Sequence, residues 1–310
     1  MPKPRVVFAG TPEFALRALE ALTCAGHEPV AVLTQPDRPA GRGKRLTASP
    51  VKLYADARGI PVLQPQTLRD ELAVAEIEAL TPDVLIVAAY GLILPQRVLD
   101  IPRHGCLNVH ASALPRWRGA APIQAAILAG DAATGVSLMA MTAGLDCGPV
   151  YAIEPVAIGP DETAGELHDR LATAGGDLLV KKLDDILAGR LEAVPQNDAL
   201  ATYAPKIGKD DARLDWSLPA ETLARRVRAY NPFPGAFFFV DDVRVKCWSA
   251  SPLEGEPGTP GRVVRCDRGG VVVACGTGRL SLDALQLPGK RRVSAAEFAG
   301  QLDLSDRQLR

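Results

Sequence analysis

The 310-residue sequence is poor in the residues that build metal sites and disulfide frameworks. Its six cysteines (Cys24, Cys106, Cys147, Cys247, Cys266 and Cys275) are scattered without a C-x-x-C pair, and its four histidines (His27, His104, His110 and His168) form no H-E-x-x-H motif. Thiols so placed read as free and reduced, and no metal site is expected. Long apolar runs are also missing. Nothing approaches the roughly 18 residues of a membrane-spanning helix, and V-V-F-A-G at 6–10 is too short for the apolar core of a signal peptide. The expectation is a soluble, cytoplasmic chain with no membrane contact. Net charge is scarce too: 35 Lys plus Arg stand against 36 Asp plus Glu, and 47% of the residues are hydrophobic. That balance excludes a disordered chain and a uniformly basic nucleic-acid tail.

What is present is a sequence long enough for about two domains. Up to residue 190, short apolar runs alternate with helical patterns. Arg5–Ala9, Pro29–Thr34, Ile60–Leu63, Asp83–Ala89, Cys106–Val109 and Val136–Met141 read as strands, and Pro12–Ala25 reads as a helix with Phe14, Leu16, Leu19 and Leu22 on one face. This alternation predicts a Rossmann-like, doubly wound, mostly parallel α/β sheet over residues 1–190. A long helix is expected over Thr163–Leu187, and Pro195, Asn197, Pro205 and Gly208 then break the periodicity, so 191–208 reads as a linker. Beyond it, 209–310 carries a short helix at Pro219–Tyr230. Five short strands follow, at Ala236–Val240, Val243–Trp248, Gly261–Arg265, Val271–Ala274 and Arg279–Leu282, and a helix at Ser294–Ala299 closes the chain. That pattern predicts a small barrel of OB-fold type.

The first strand-to-helix turn, G-T-P-E-F at 10–14, lacks G-x-G-x-x-G, and Pro12 removes an N–H from the turn that would cradle a pyrophosphate. A nicotinamide cofactor is therefore not expected. Gly41-Arg42-Gly43-Lys44 is not a phosphate-binding P-loop either, because no glycine lies five residues before Gly43. The chemistry points instead to Asn108-Val109-His110 at the carboxyl end of a predicted strand, where α/β sheets hold their ligands. Alternation places Asn108 and His110 on one face. An amide donor beside an imidazole can stabilise an oxyanion and move a proton, as acyl transfer requires. Asp146, before Cys147-Gly148-Pro149, suits either a turn or the fixing of an imidazole.

Charge is distributed unevenly. The 34–50 connection is too long for an ordinary βα loop, and from Arg38 to Lys52 the chain has five cations (Arg38, Arg42, Lys44, Arg45 and Lys52) and no acid. Mobile cations of this density read as an anion-binding loop. Residues 1–200 hold 18 cations and 23 acids, net −5, whereas 201–310 hold 17 and 13, net +4. The second half includes R-R-V-R at 225–228 and K-R-R at 290–292. A barrel with a basic face suits contacts to a nucleic-acid backbone.

Taken together, N-x-H at 108–110, S-A-L-P-x-x-R-G-x-x-P from Ser112 and L-D-x-G-P from Leu145 resemble the formyltransferases that use 10-formyltetrahydrofolate. Further matches are G-T-P-E-F, Q-P-D-R-P-A-G-R-G-K-R-L at 35–46, Y-G-L-I-L-P at 90–95 and N-P-F-P-G-A at 231–236. The resemblance implies a formyltransferase fold, with Asn108, His110 and Asp146 as the catalytic group. It implies folate contacts at Ser112, Ala113, Leu114 and Pro115 and along the Ile86, Ala88 and Tyr90 wall. The donor would be 10-formyltetrahydrofolate and the acceptor initiator methionyl-tRNA, held by Arg38, Arg42, Lys44 and Arg45 in the basic loop and by the 209–310 domain. Two domains with a tRNA footprint need no second subunit, so a monomer is expected. Transfer to a small amine such as an amino sugar nucleotide, and a non-catalytic nucleic-acid binder, are the alternatives.

Overall fold

The computed structural model describes residues 3–40, 43, 45–256, 258–302 and 304–310. The chain divides into two compact units. One holds residues 1–122, 133–157 and 168–204, and the other holds 123–132, 158–167 and 205–310.

The first unit is built on a seven-stranded sheet. Along the chain run β1 (Val6–Gly10), α1 (Glu13–Cys24), β2 (Ala31–Leu33), β3 (Arg38–Ala40), β4 (Arg45–Thr47) and α2 (Pro50–Arg58). Then come β5 (Val62–Leu63), α3 (Glu71–Ala79), β6 (Val84–Ala88), α4 (Gln96–Leu99), β7 (Cys106–His110), β8 (Arg118–Gly119), α5 (Pro122–Ala129, all but its first residue in the second unit), β9 (Ala133–Ala140), β10 (Val150–Ala157), α6 (Ala164–Leu187, its first turn in the second unit) and β11 (Tyr203–Ala204). The sheet order is β10-β9-β7-β6-β1-β2-β5, parallel from β7 to β5, with β9 and β10 antiparallel at the other edge. This is the expected Rossmann-like, mostly parallel architecture. The V-V-F-A-G and V-L-I-V-A strands are buried along their whole length, as a sheet covered on both faces requires.

Local signals fix the helices. Ser49 caps α2 by accepting the Lys52 N–H at 3.1 Å, Pro50 supplies the first-turn φ, and Gly59 at φ +70° ends it. Strand order reverses between β1 and β6, the crevice where open α/β sheets bind ligands. There Gly10 permits a close approach: a Cβ would lie 2.5 Å from Ala15 Cβ and 2.9 Å from the Ala88 carbonyl.

Two features differ from the sequence reading. The basic connection is not irregular throughout, since β3 and β4 form a hairpin. β10 is not among the strands read from the sequence, because Glu154 and Pro155 interrupt its apolar run; it is an eight-residue edge strand on β9. An edge tolerates both residues, because one side of its backbone has no ladder to satisfy.

The second unit holds α7 (Ala220–Ala229), β12 (Phe237–Val240), β13 (Val243–Leu253), β14 (Val263–Asp267), β15 (Gly270–Ala274), β16 (Arg279–Gln286), β17 (Val293–Ser294) and α8 (Ala295–Gln301). Its antiparallel sheet runs β12-β13-β16-β15-β14, with β17 on β16. The last residues join its two edges: Val263 N–H donates to Arg307 O at 2.9 Å and Arg310 N–H to Phe239 O at 3.0 Å. The result is a half-barrel of the expected OB-like kind, closed by the chain's tail. Its core holds Phe238, Val245, Val273, Leu282 and Phe298, and Trp216 meets Phe238 edge to face at 5.6 Å.

Gly10→Ala is expected to destabilise the first unit by about 1–3 kcal/mol through overpacking, read as a lower urea midpoint at unchanged slope. An unchanged midpoint would show that α1 can recede at no cost.

Candidate active site

Strand β7 ends in Asn108 and His110. The pleat directs both to one face while Leu107 and Val109 take the other. Their neighbours on β9 are Met139 and Ser137. Asp146 arrives from the β9–β10 loop with φ +48°, a left-handed conformation that Asp tolerates better than most residues. Its Oδ2 accepts the Gly119 N–H at 2.9 Å and faces His110 Nδ1 at 3.7 Å, and its Oδ1 faces Asn108 Nδ2 at 3.4 Å. Asn108 and His110 are only 9% and 6% exposed, so these charges and dipoles interact with little screening by water. The structure thus brings together the three residues that the sequence pattern singled out.

His110 Nε2 lies 3.0 Å from the Trp117 carbonyl. A carbonyl oxygen can only accept, so Nε2 carries the hydrogen of this contact, while Nδ1 faces the Asp146 carboxylate beyond hydrogen-bond distance. Trp117 reaches this position because it adopts φ +62°. Gly119, at φ +117°, is required for a different reason: a Cβ there would lie 2.6 Å from the Ala204 carbonyl.

The Ser112–Pro115 segment is fixed from inside. Ser112 Oγ donates to Arg116 O at 2.6 Å, while Ser137 Oγ donates to Ser112 O at 2.7 Å and accepts the Leu114 N–H at 3.0 Å. Ser112 and Leu114 are consequently buried, and Ala113 and Pro115 carry the accessible surface. Along β6, Ile86 and Ala88 share one face by alternation. Tyr90 does not join them: it packs with Leu85, Val87 and Val98 in a core cluster, because Ala89 at φ +43° breaks the pleat. Among the described residues the Tyr90 hydroxyl has no partner, and burial pushes its pKa up. Its carbonyl accepts from Thr11 Oγ1 at 3.0 Å and Gln35 Nε2 at 3.1 Å across the strand-reversal crevice.

In the β3–β4 hairpin, Arg38 pairs with Thr47 and Ala40 with Arg45, so the pleat places Arg38 and Arg45 on one face. Both are exposed. Arg42 and Lys44 lie outside the described residues. Lys52 stands apart from this set: its Nζ is 2.8 Å from Asp37 Oδ2, and this contact holds the Asp37 carboxyl below its usual range. In the second unit, cations stack on aromatic rings. Arg292 and Lys246 lie 4.3 and 4.9 Å from the Trp248 ring centre, and Arg244 lies 3.5 Å from that of Phe237.

Comparison with known proteins decides the family. The family model "Formyl transferase" matches residues 4–183, and "Formyl transferase, C-terminal domain" matches 206–302. The chain belongs to the formyl transferase family. Similar members include the methionyl-tRNA formyltransferase of Aromatoleum aromaticum, 56% identical over 294 residues, which are 95% of this chain and 93% of that one. That of Burkholderia multivorans is 54% identical over 304 residues, with the same coverage. Among solved structures, HypX from Aquifex aeolicus in complex with tetrahydrofolic acid has the same fold, with TM-score 0.66 and 19% identity over 98% of this chain and 49% of that chain. So does the N-formyltransferase from Helicobacter canadensis in complex with folinic acid and dTDP-3-aminofucose, with TM-score 0.64 and 16% identity over 90% of this chain and 99% of that one.

Several members of this formyl transferase's site escaped the sequence reading. The Gly119 N–H, the Trp117 carbonyl and the side chains of Arg118, Gln196 and Thr202 all bear on Asp146 or His110, directly or through one partner. Arg118 and Gly119 belong to the S-A-L-P-x-x-R-G-x-x-P motif, but nothing local in sequence connects residue 118 to residue 196. Among the described residues, no group of three or more His, Cys, Asp or Glu could hold a metal ion. No helix among them is long and apolar enough to cross a membrane. All six cysteines are free, with Cys24 and Cys147 exposed. Burial pushes the Cys106 and Cys275 thiols up to about 12 and about 11 and raises that of the buried Cys247 further. A thiol reagent is expected to modify Cys24 and Cys147 in the native protein and to reach Cys106, Cys247 and Cys275 only after unfolding, as peptide mapping would show. Early labelling of Cys106 would mean that β7 opens readily.

Proposed function

We propose that this formyl transferase moves the formyl group of 10-formyltetrahydrofolate to the α-amino group of initiator methionyl-tRNA, with Asn108, His110 and Asp146 as the catalytic group. The reading rests on the Asp146 carboxylate facing both Asn108 and His110 at the carboxyl end of β7, in a chain more than half identical to methionyl-tRNA formyltransferases along almost its whole length. Formyl transfer makes a C–N bond to the amine and breaks the C–N10 bond of the donor. Negative charge builds on the formyl oxygen, and the proton lost by the amine ends on N10 of the departing tetrahydrofolate as the C–N10 bond breaks.

Each residue has a part matched to that charge flow. Asn108 points one amide hydrogen toward Asp146 and keeps the second for the developing oxyanion. Protonated His110, its Nε2–H on the Trp117 carbonyl, would offer Nδ1–H, which lies 3.7 Å from Asp146 and outside hydrogen-bond distance, as the second donor to that oxygen. Asp146 takes the amine proton directly or through one water while its Gly119 N–H bond fixes the carboxylate. The 3.4 and 3.7 Å separations tighten when substrates exclude water.

Ala113 and Pro115, with the Tyr90 backbone, would receive the folate, and Ile86 and Ala88, fully buried on β6, would back that surface from within. Fixed by its own hydrogen bonds, the 112–115 segment suits a rigid flat ligand. The tRNA would meet Arg38 and Arg45 on the hairpin, Arg42 and Lys44 of the same basic sequence, and the cation–aromatic surface of the 209–310 domain, whose stacked guanidinium groups are preordered for phosphate. The protein would act as a cytoplasmic monomer.

The deciding assay is transfer of labelled formyl to methionyl initiator tRNA, run beside elongator tRNA and small amines. Asn108→Ala and Asp146→Ala are each expected to remain folded and lose about 10²- to 10³-fold in rate, the usual loss for one oxyanion donor. Near-normal turnover in either overturns the assignment. Arg42→Ala is expected to raise KM for tRNA with folate affinity unchanged. A defect confined to folate would remove the hairpin from the tRNA site.

A further inference from the structure

Residues 194–204 lie between the two family-model matches and hold only one 3-10 turn, Asp198–Leu200, and the short β11, yet they are bound to the elements around Asp146 along their length. Val194 and Val150 exchange both backbone hydrogen bonds at 2.8 Å. Thr202 O accepts the Arg118 N–H at 2.9 Å, Thr202 Oγ1 accepts the Trp117 N–H at 2.9 Å, and β11 pairs in parallel with β8. The densest connection is Gln196. Its carboxamide Nε2 donates to the carbonyls of Asp146 at 2.8 Å and Gly148 at 2.7 Å. Its Oε1 accepts from Arg118 Nε at 3.0 Å and Nη2 at 2.8 Å. Arg118, 3% exposed, is anchored in turn on Asp198 Oδ1 at 2.7 Å. Burial disfavours the Arg118 charge, but Asp198 and Tyr203 outweigh it, so the guanidinium remains a donor.

The geometry points to Gln196 as the positioning residue of the reaction: clamped by Arg118, it holds the Asp146–Gly148 backbone so that the Asp146 carboxylate meets Asn108, His110 and the Gly119 N–H. Three facts carry this. Asp146 has a left-handed backbone, which costs free energy and persists only where neighbours impose it. The carboxamide satisfies two carbonyls of that same turn with the two hydrogens of one nitrogen. Moreover, Arg118 and Gly119 are adjacent, so a single dipeptide fixes both the amide that holds the turn and the N–H that orients the carboxylate.

This inference rests on the proposed role of Asp146, and the test separates the two. Glu at position 196 retains the acceptors for Arg118 but loses both donors to the turn, so Gln196→Glu removes the hold on Asp146 while keeping the anchor. Gln196→Ala removes both. Each variant is to be assayed for formyl transfer in the full-length protein, alone and combined with Asp146→Ala, with thermal midpoints recorded. Both are expected to lower kcat by about 10- to 100-fold, the range seen when an orienting partner is lost. KM for donor and tRNA should stay within about threefold, as befits loss of transition-state rather than ground-state contacts. In the Asp146→Ala background neither is expected to reduce the residual rate further, because the group they position is gone. A wild-type kcat for Gln196→Glu would show that the Arg118 contact alone suffices, and losses that add fully to Asp146→Ala would show a general structural role. Either overturns the inference. An inactive wild-type protein, or an Asp146→Ala variant with normal rate, would instead overturn the underlying reading.

Discussion

A carboxylate that must face two strand side chains from a loop 36 residues downstream needs a backbone that cannot drift. Asp146 meets that demand through opposing restraints. Its side chain is tied to the Gly119 N–H at 2.9 Å, and its main chain is tied to the Gln196 amide at 2.8 Å. Neither restraint is hydrophobic, so their strength depends on direction and on shelter from water. The buried sheet supplies the shelter: Asn108 and His110 belong to a strand with parallel β6 on one side and antiparallel β9 on the other. Rigid strands set two of the three groups, and the loop carrying the third is fixed by hydrogen bonds.

That division explains what could be read in the sequence. Strands β1, β6 and β7 are short apolar runs whose burial follows from composition, and the alternation that places Asn108 with His110 is a property of any extended chain. Helix α6 was equally legible, because Leu167, Leu171 and Leu178 repeat along one stripe. β10 and the β3–β4 hairpin were not. Polar or basic residues that a central strand could not accept are stable at an edge or in a two-stranded ribbon, where they meet solvent. The partnership of residue 196 with residues 118 and 146 lies further from any sequence signal, since it depends on three loops converging. Periodicity records which face of an element is buried and carries no trace of which distant amide reaches a given carbonyl. Tyr90 teaches the same lesson in reverse: a single left-handed residue, Ala89, sends its ring to the opposite side from Ile86 and Ala88.

The distribution of positive charge follows a related logic. The balance of 35 cations and 36 acids conceals a half with net −5 and a half with net +4, and the structure sorts the cations further by partner. Lys52 is held by Asp37, and Arg118 by Asp198 and Gln196; both cations are bound into the fold. Arg38 and Arg45 project from one face of a two-stranded hairpin, and Arg244, Lys246 and Arg292 lie over aromatic rings. A ring holds a guanidinium in a defined orientation without neutralising it, so its hydrogens remain available to an incoming phosphate at a smaller entropic cost than a free side chain would incur. Arg118, committed to Asp198 and Gln196, braces the turn that carries Asp146, and arginines laid on rings or on a hairpin face stay charged toward solvent. The proposed transfer would draw on both: a rigidly placed carboxylate for the amine and, for the phosphates around it, cations ordered enough to bind and uncommitted enough to exchange water for nucleic acid.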